Sequence, residues 1–390
     1  MLRPFSSAPP HSIFANIALK IFIKNIMTGQ SKIIGGVLRM KLITALACGL
    51  LTFSCVIAPK AEACSRVVYH GPENTILTGR TMDWKDMDMK TKLWIFPKGI
   101  ERDGRFNDAP FKWRSKYGSV IVSVYDAATS EGMNEKGLVA NILWLAESEY
   151  PDPSSGKPLM SLSAWPQYVL DSFATVEEAV KILAREEFTV ITGEMPGRGG
   201  LADCHLALSD PTGDSAILEY VGGKLLIHHG REYVVMTNSP LYDQQLALNS
   251  YWKEIGGLSM LPGTNRSADR FVRASFYLDA IPKTANIQMA VAGTFSVIRN
   301  TSVPLGITTP DHPNISSTLW RTVSDQKNRV FYFESALEPS LFWVDMKKVN
   351  FSKGAPVKVL VTQNGRFFAG DASAYFEPAK PFEFLGEDQL

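Results

Sequence analysis

Strand-like and helix-like segments alternate in groups along this chain, and that grouping limits the folds open to it more than any single motif does. Cys64–Tyr69 and Thr75–Trp84 flank the turn-forming His70-Gly71-Pro72-Glu73-Asn74, which predicts a hairpin. Ser119–Tyr125 is alternating and β-branched, and Asn134-Glu135-Lys136-Gly137 turns into Leu138–Leu145. A second hairpin is predicted from Cys204–Ser209 and Ser215–Tyr220, followed by Lys224–His228 and Tyr233–Thr237, and a third from Thr318–Ser324 and Arg329–Phe333. Helical spacing falls between these blocks. Thr175-Val176-Glu177-Glu178 reads as a capping box, with Val176, Ala179, Val180 and Leu183 on one face. Leu241–Gly256, Ser267–Ile281 and Thr284–Val297 carry similar spacing. A doubly wound parallel sheet needs helices and strands one by one. Grouping predicts an α+β fold of antiparallel sheets with helices packed outside.

The N-terminus stands apart. From Met40 the chain has a basic start (Arg39, Lys41), an apolar run Leu42–Ile57 and a small-residue end at Ala61-Glu62-Ala63, the layout of a secretory leader. That run is short against the roughly 20 residues of a membrane span. The expectation is a leader at 40–63, cut between Ala63 and Cys64, a periplasmic or secreted product and no stable membrane insertion afterwards. A buried N-terminal helix or an uncleaved anchor is the alternative. Met40 is the better start, and residues 1–39 read as an upstream extension. No linker or repeat interrupts residues 64–390, which are read as one domain. A net charge of +1 gives no global field for nucleic acid or an anionic membrane.

Leader removal would leave Cys64 and Cys204 as the remaining cysteines and would put a thiol and a free α-amine on the same residue. With reference pKa values of about 8.5 and about 8, the two are close to poised at neutral pH, so the amine can serve as the thiol's base. A nearby guanidinium would favour the thiolate and a carboxylate could orient the ammonium. Arg80 and Asp83 can do both if the first hairpin forms, although such a pair on a strand is usually a solvated one. Two alternatives lack turnover: a Cys64–Cys204 disulfide, or lipidation of Cys64, which the charge of Glu62 disfavours. Either would make this an exported binding protein.

Several motifs add to this. Cys64-Ser65-Arg66, Gly79-Arg80-Thr81-Met82-Asp83-Trp84, Asn134-Glu135-Lys136-Gly137-Leu138, Met236-Thr237-Asn238-Ser239-Pro240, Ser267-Ala268-Asp269-Arg270-Phe271-Val272-Arg273 and Thr318-Leu319-Trp320-Arg321 through Asn328 resemble the choloylglycine hydrolase and penicillin V acylase family of N-terminal-nucleophile hydrolases. They come in the family's order and span nearly all of residues 64–390. The resemblance implies an αββα sandwich, assembled as a homotetramer, that hydrolyses a linear amide bond without cofactor or metal. It implies Cys64 as nucleophile, Arg80 and Asp83 as its flanking pair, Asn238 as an oxyanion-hole amide and Arg270 as the distal active-site arginine. Trp144 stands near where bile-salt members carry an asparagine. Together with Trp84 it points to the Gram-negative branch, whose tryptophans line the substrate pocket. The substrates expected are small N-acyl amides, penicillin V and N-acyl homoserine lactones, with conjugated bile salts as the alternative.

Other candidates read as structural. His205, His228 and His229 make no metal-ligand set, since adjacent strand residues face opposite ways, and are expected to be solvated strand histidines. Cys204, inside a strand, is expected to be a small core residue.

Overall fold

The structure, a computed structural model, describes residues 64–106, 109–195, 200–307, 316–338, 340–362 and 365–386. The expected leader and upstream extension lie outside the described residues.

Ser65–Gly71 and Thr75–Trp84 form the expected hairpin in the register Ser65↔Thr81 through Gly71↔Thr75. The tight connection Pro72–Asn74 has Glu73 and Asn74 at positive φ. Thr75–Trp84 is buried along its whole length, because both of its faces are covered. Among the described residues it sits third in a seven-stranded, largely antiparallel sheet. The strand order there is Val235–Met236, Ser65–Gly71, Thr75–Trp84, Ser317–Asp325, Val330–Ser335, Leu341–Asp345 and Gly370–Asp371. A nine-stranded antiparallel sheet runs Lys224–His229, Ser215–Val221, Cys204–Ser209, Val139–Trp144, Ala128–Asn134, Ser119–Val124, Lys92–Phe96, Lys358–Val361 and Glu377–Pro378.

Helices α1 (Trp165–Ser172) and α2 (Val176–Leu183) pack on the nine-stranded sheet. Helix α3 (Tyr242–Ile255) packs beside α4 (Ser267–Ala280), and α4 and α5 (Ile287–Asn300) cover the seven-stranded sheet. This is the αββα sandwich. Gly79 shows how closely α5 approaches: a Cβ there would lie 2.9 Å from Thr294 Cγ2 and 3.0 Å from Ile298 Cγ2. At the start of α2, Thr175 Oγ1 accepts from the Glu178 N–H at 3.2 Å, while the Glu178 carboxylate reaches back to Ala174 N–H, one residue earlier than a reciprocal box. The third late helix begins three residues after its expected start, where the Asn286 side chain caps Met289 N–H.

The layer between the sheets is unusually polar. Arg66 on the first strand donates to Leu208 O at 2.8 Å and to Ser215 Oγ and Tyr233 O at 3.1 Å. Thr78 and Ser209 hydroxyls meet at 2.7 Å. Buried polar groups cost stability unless satisfied, so these bonds fix how one sheet sits on the other.

Candidate active site

The period of two along Thr75–Trp84 decides what each side chain can reach. Arg80 and Met82 face the space between the sheets, whereas Thr81 and Asp83 face the opposite way. Cys64 lies one residue beyond the Ser65↔Thr81 pair, opposite Met82. Its Sγ is 3.9 Å from Met82 Sδ, 3.9 Å from Arg80 Nη2 and 3.8 Å from the Asp83 carbonyl oxygen. Arg80 and Asp83 therefore both meet the thiol, one by side chain and one by backbone. The Asp83 carboxylate accepts from Thr318 Oγ1 and Thr81 Oγ1 at 2.5 and 3.1 Å.

Asn238 meets the Cys64 nitrogen, which in the uncut chain is a peptide N–H. Its Oδ1 accepts from Cys64 N at 2.6 Å and from Arg270 Nη2 at 2.7 Å, and its Nδ2 donates to the Trp144 carbonyl at 2.8 Å. Two donors at one end of the amide and an acceptor at the other fix which way it points. Arg270, in the first turn of α4, is not remote: it donates to Cys64 O and to Ser65 Oγ. Ser267, which opens α4, accepts from the Asn238 backbone N–H at 2.7 Å. One helix N-terminus thus locks both the arginine and the asparagine against the thiol residue.

Burial dominates the electrostatics. It pushes the Cys64 thiol up to about 11, against the lowering fields of Arg80 and Arg270, with Asp83 raising it further. The guanidiniums favour the thiolate as expected, but desolvation outweighs them, so at neutral pH the thiol needs a base to ionise. Burial likewise raises Asp83 from 3.8 to about 6, against Arg270 and the two threonine donors. A carboxyl raised on folding contributes stability fully present below its unfolded pKa and lost as pH rises through the folded one. We expect the stability of Asp83→Asn, measured against wild type by thermal melting, to improve steadily from about pH 4 to about pH 7. A difference constant across that range would show that Asp83 titrates normally.

Cys64 opens into an apolar cavity of about 80 Å³. Trp84 and Trp144 both line it, their rings 5.8 Å apart at 46°. Trp84 Nε1 donates to Tyr125 OH at 2.9 Å, and Tyr125 lines the same cavity. Met82, Met89 and Met195 add flexible thioether surface.

Over residues 64–359 the chain matches the model of the linear amide C–N hydrolases of the choloylglycine hydrolase family. The chain belongs to that family. It is 52% identical over 348 residues to a penicillin V acylase from Pectobacterium atrosepticum, covering 83% of this chain and 92% of that protein. The solved penicillin V acylase from Agrobacterium tumefaciens is 56% identical with a TM-score of 0.77, covering 83% of this chain and all of that one. A bile salt hydrolase/transferase from Clostridium perfringens is more distant, at 25% identity over 315 residues, 74% of this chain and 93% of that protein. The protein is a linear amide C–N hydrolase.

Within this choloylglycine hydrolase fold, all seven residues singled out in the sequence (Cys64, Arg80, Asp83, Trp84, Trp144, Asn238 and Arg270) converge on one site. Two readings need correction. His205 is fully buried, with Nδ1 3.0 Å from Glu219 Oε1 and Nε2 2.8 Å from the Thr237 carbonyl, directly before Asn238. It supports the 237–238 backbone and is not solvated. Cys204 pairs with Trp144 across two strands and lines the cavity with Cys64, and the two are not joined in a disulfide. Glu131 went unnoticed: it holds Arg80 Nη1 at 2.7 Å from the opposite sheet. A lone charged residue in the strand Ala128–Asn134 is the sequence signal for it.

Proposed function

We propose that the chain is cut between Ala63 and Cys64 on export and that Cys64 then hydrolyses N-acyl amides as both nucleophile and base, with penicillin V and N-acyl homoserine lactones as its substrates. The observation that carries this is the placement of Cys64, its nitrogen 2.6 Å from Asn238 Oδ1 and its sulfur facing an apolar cavity walled by two tryptophans. Once freed, the α-amine takes the thiol proton, which the high thiol pKa makes necessary. The thiolate attacks the substrate carbonyl carbon. Asn238 Nδ2 gives one hydrogen to Trp144 and has a second for the developing oxyanion. The α-ammonium then protonates the leaving amine, and water, deprotonated by the same amine, hydrolyses the thioester to release the acid. In this reading the mature protein is periplasmic or secreted and works as a homotetramer.

Intact mass and the N-terminal peptide of the exported protein test the first half. A chain beginning with unmodified Cys64 is expected, and a lipidated Cys64 or another start would remove the free amine and end the mechanism. A substrate panel tests the second half: glycocholate outcompeting both penicillin V and decanoyl homoserine lactone would make the bile-salt alternative correct. Asn238→Ala is expected to lower kcat by about 10²–10³, measured on penicillin V. An unchanged kcat would remove Asn238 from the oxyanion site.

A further inference from the structure

The far C-terminal segment enters the cavity that holds the thiol. Leu385 lines the same cavity as Cys64, although it lies beyond residues 64–359, the span shared with the family model. It is not a loose tail end. The Leu385 backbone N–H is shared between Ser163 Oγ at 3.0 Å and Ala127 O at 3.1 Å, and both acceptor residues also line the cavity. Just before it, Arg105 donates to the Phe384 carbonyl at 3.2 Å and to the Glu383 carboxylate at 2.9 Å. Phe382 packs edge-on against Trp94 with centroids 5.4 Å apart, and the Arg102 guanidinium lies 5.5 Å over the Phe384 ring. The segment is therefore anchored on both sides of the backbone and presents one apolar side chain to the substrate space.

Resting on the acyl-amide reading above, we propose that Leu385 is a specificity residue, a wall of the acyl site that sets which acyl groups fit. A leucine whose backbone is pinned this way cannot retreat when a longer acyl chain enters. Shortening it should open the cavity, and enlarging it should close the cavity further. Cys64, Arg80, Asn238 and Arg270 do not touch it in any of the bonds described, so the chemistry itself should be spared.

The test uses p-nitroanilides acylated with acetyl, butanoyl, hexanoyl, decanoyl and phenoxyacetyl groups, with kcat/KM read for wild type, Leu385→Ala, Leu385→Phe and Leu385→Met. Leu385→Ala is expected to raise the decanoyl-to-butanoyl ratio of kcat/KM by about tenfold, and Leu385→Phe to lower it by a similar factor. Should the alanine variant fail to fold, the phenylalanine and methionine variants decide the matter alone. An acyl profile that stays within about twofold of wild type in the folded, active variants overturns the role of Leu385 and leaves the amidase reading standing. Absence of p-nitroaniline release by wild type from every member would overturn that reading, and the specificity role with it.

Discussion

Cys64→Ser should lose at least about 10³-fold in kcat/KM while melting at the same temperature as wild type. Sulfur is needed for two reasons that the geometry makes separable. Burial already pushes the thiol to about 11, and a hydroxyl in the same place would ionise far less readily. The neighbours are also spaced for sulfur: Arg80 Nη2, Met82 Sδ and the Asp83 carbonyl stand 3.8–3.9 Å from Sγ, beyond the reach of a strong hydrogen bond from a smaller oxygen. The fold should tolerate the exchange, because Cys64 is held through its backbone N and O by Asn238 and Arg270. Cys204 supplies the control, being a second cysteine on the same cavity outside any disulfide. Cys204→Ser should keep its activity, and the one thiol whose alkylation tracks inactivation should be Cys64. Full activity in Cys64→Ser, or inactivation following Cys204, would sink the assignment.

The hairpins, the helices and the site motifs were readable because each depends on local chemistry. Turn residues at His70–Asn74 and Asp210–Asp214 mark chain reversals, and the spacing of Val176, Ala179 and Leu183 marks a buried helix face. The first hairpin even placed Arg80 beside Cys64. What could not be read was which face each side chain takes relative to a second sheet. Asp83 and Arg80, three apart on a strand, point to opposite layers, and the Asp83 carboxylate is engaged by Thr81 and Thr318. His205 looked solvated for the same reason, since nothing local indicates that its strand lies in the middle of a sandwich with Glu219 alongside. Helix α1 escaped notice because it is only eight residues long and has no side-chain cap to mark its start. Leu385 lies far along the chain from every residue it helps to enclose.

Glu131→Ala should be the most damaging change outside the residues that meet substrate. The carboxylate is fully buried and joins the sheets: Oε1 accepts from Arg80 Nη1 at 2.7 Å and Trp320 Nε1 at 2.8 Å, and Oε2 accepts from Thr322 Oγ1 at 2.5 Å. Three donors from the seven-stranded sheet thus converge on one acid from the nine-stranded sheet. Removing it leaves a buried guanidinium without its counter-charge, a loss of about 3–5 kcal/mol in stability. It should also reduce kcat, because Arg80 would be free to leave the position from which its Nη2 faces Cys64 Sγ. Glu131→Gln separates the two effects. Its amide oxygen can still accept from Arg80 and Trp320 in nearly the same volume, so geometry and most of the activity should return while the missing charge keeps stability below wild type. Denaturant melts and kcat on penicillin V for the two variants read this directly. If the alanine variant melts and turns over like wild type, Arg80 is held by its other contacts, the Ile142 carbonyl at 3.1 Å and the Met82 sulfur at 3.6 Å, and the ion pair between the sheets is incidental to the site.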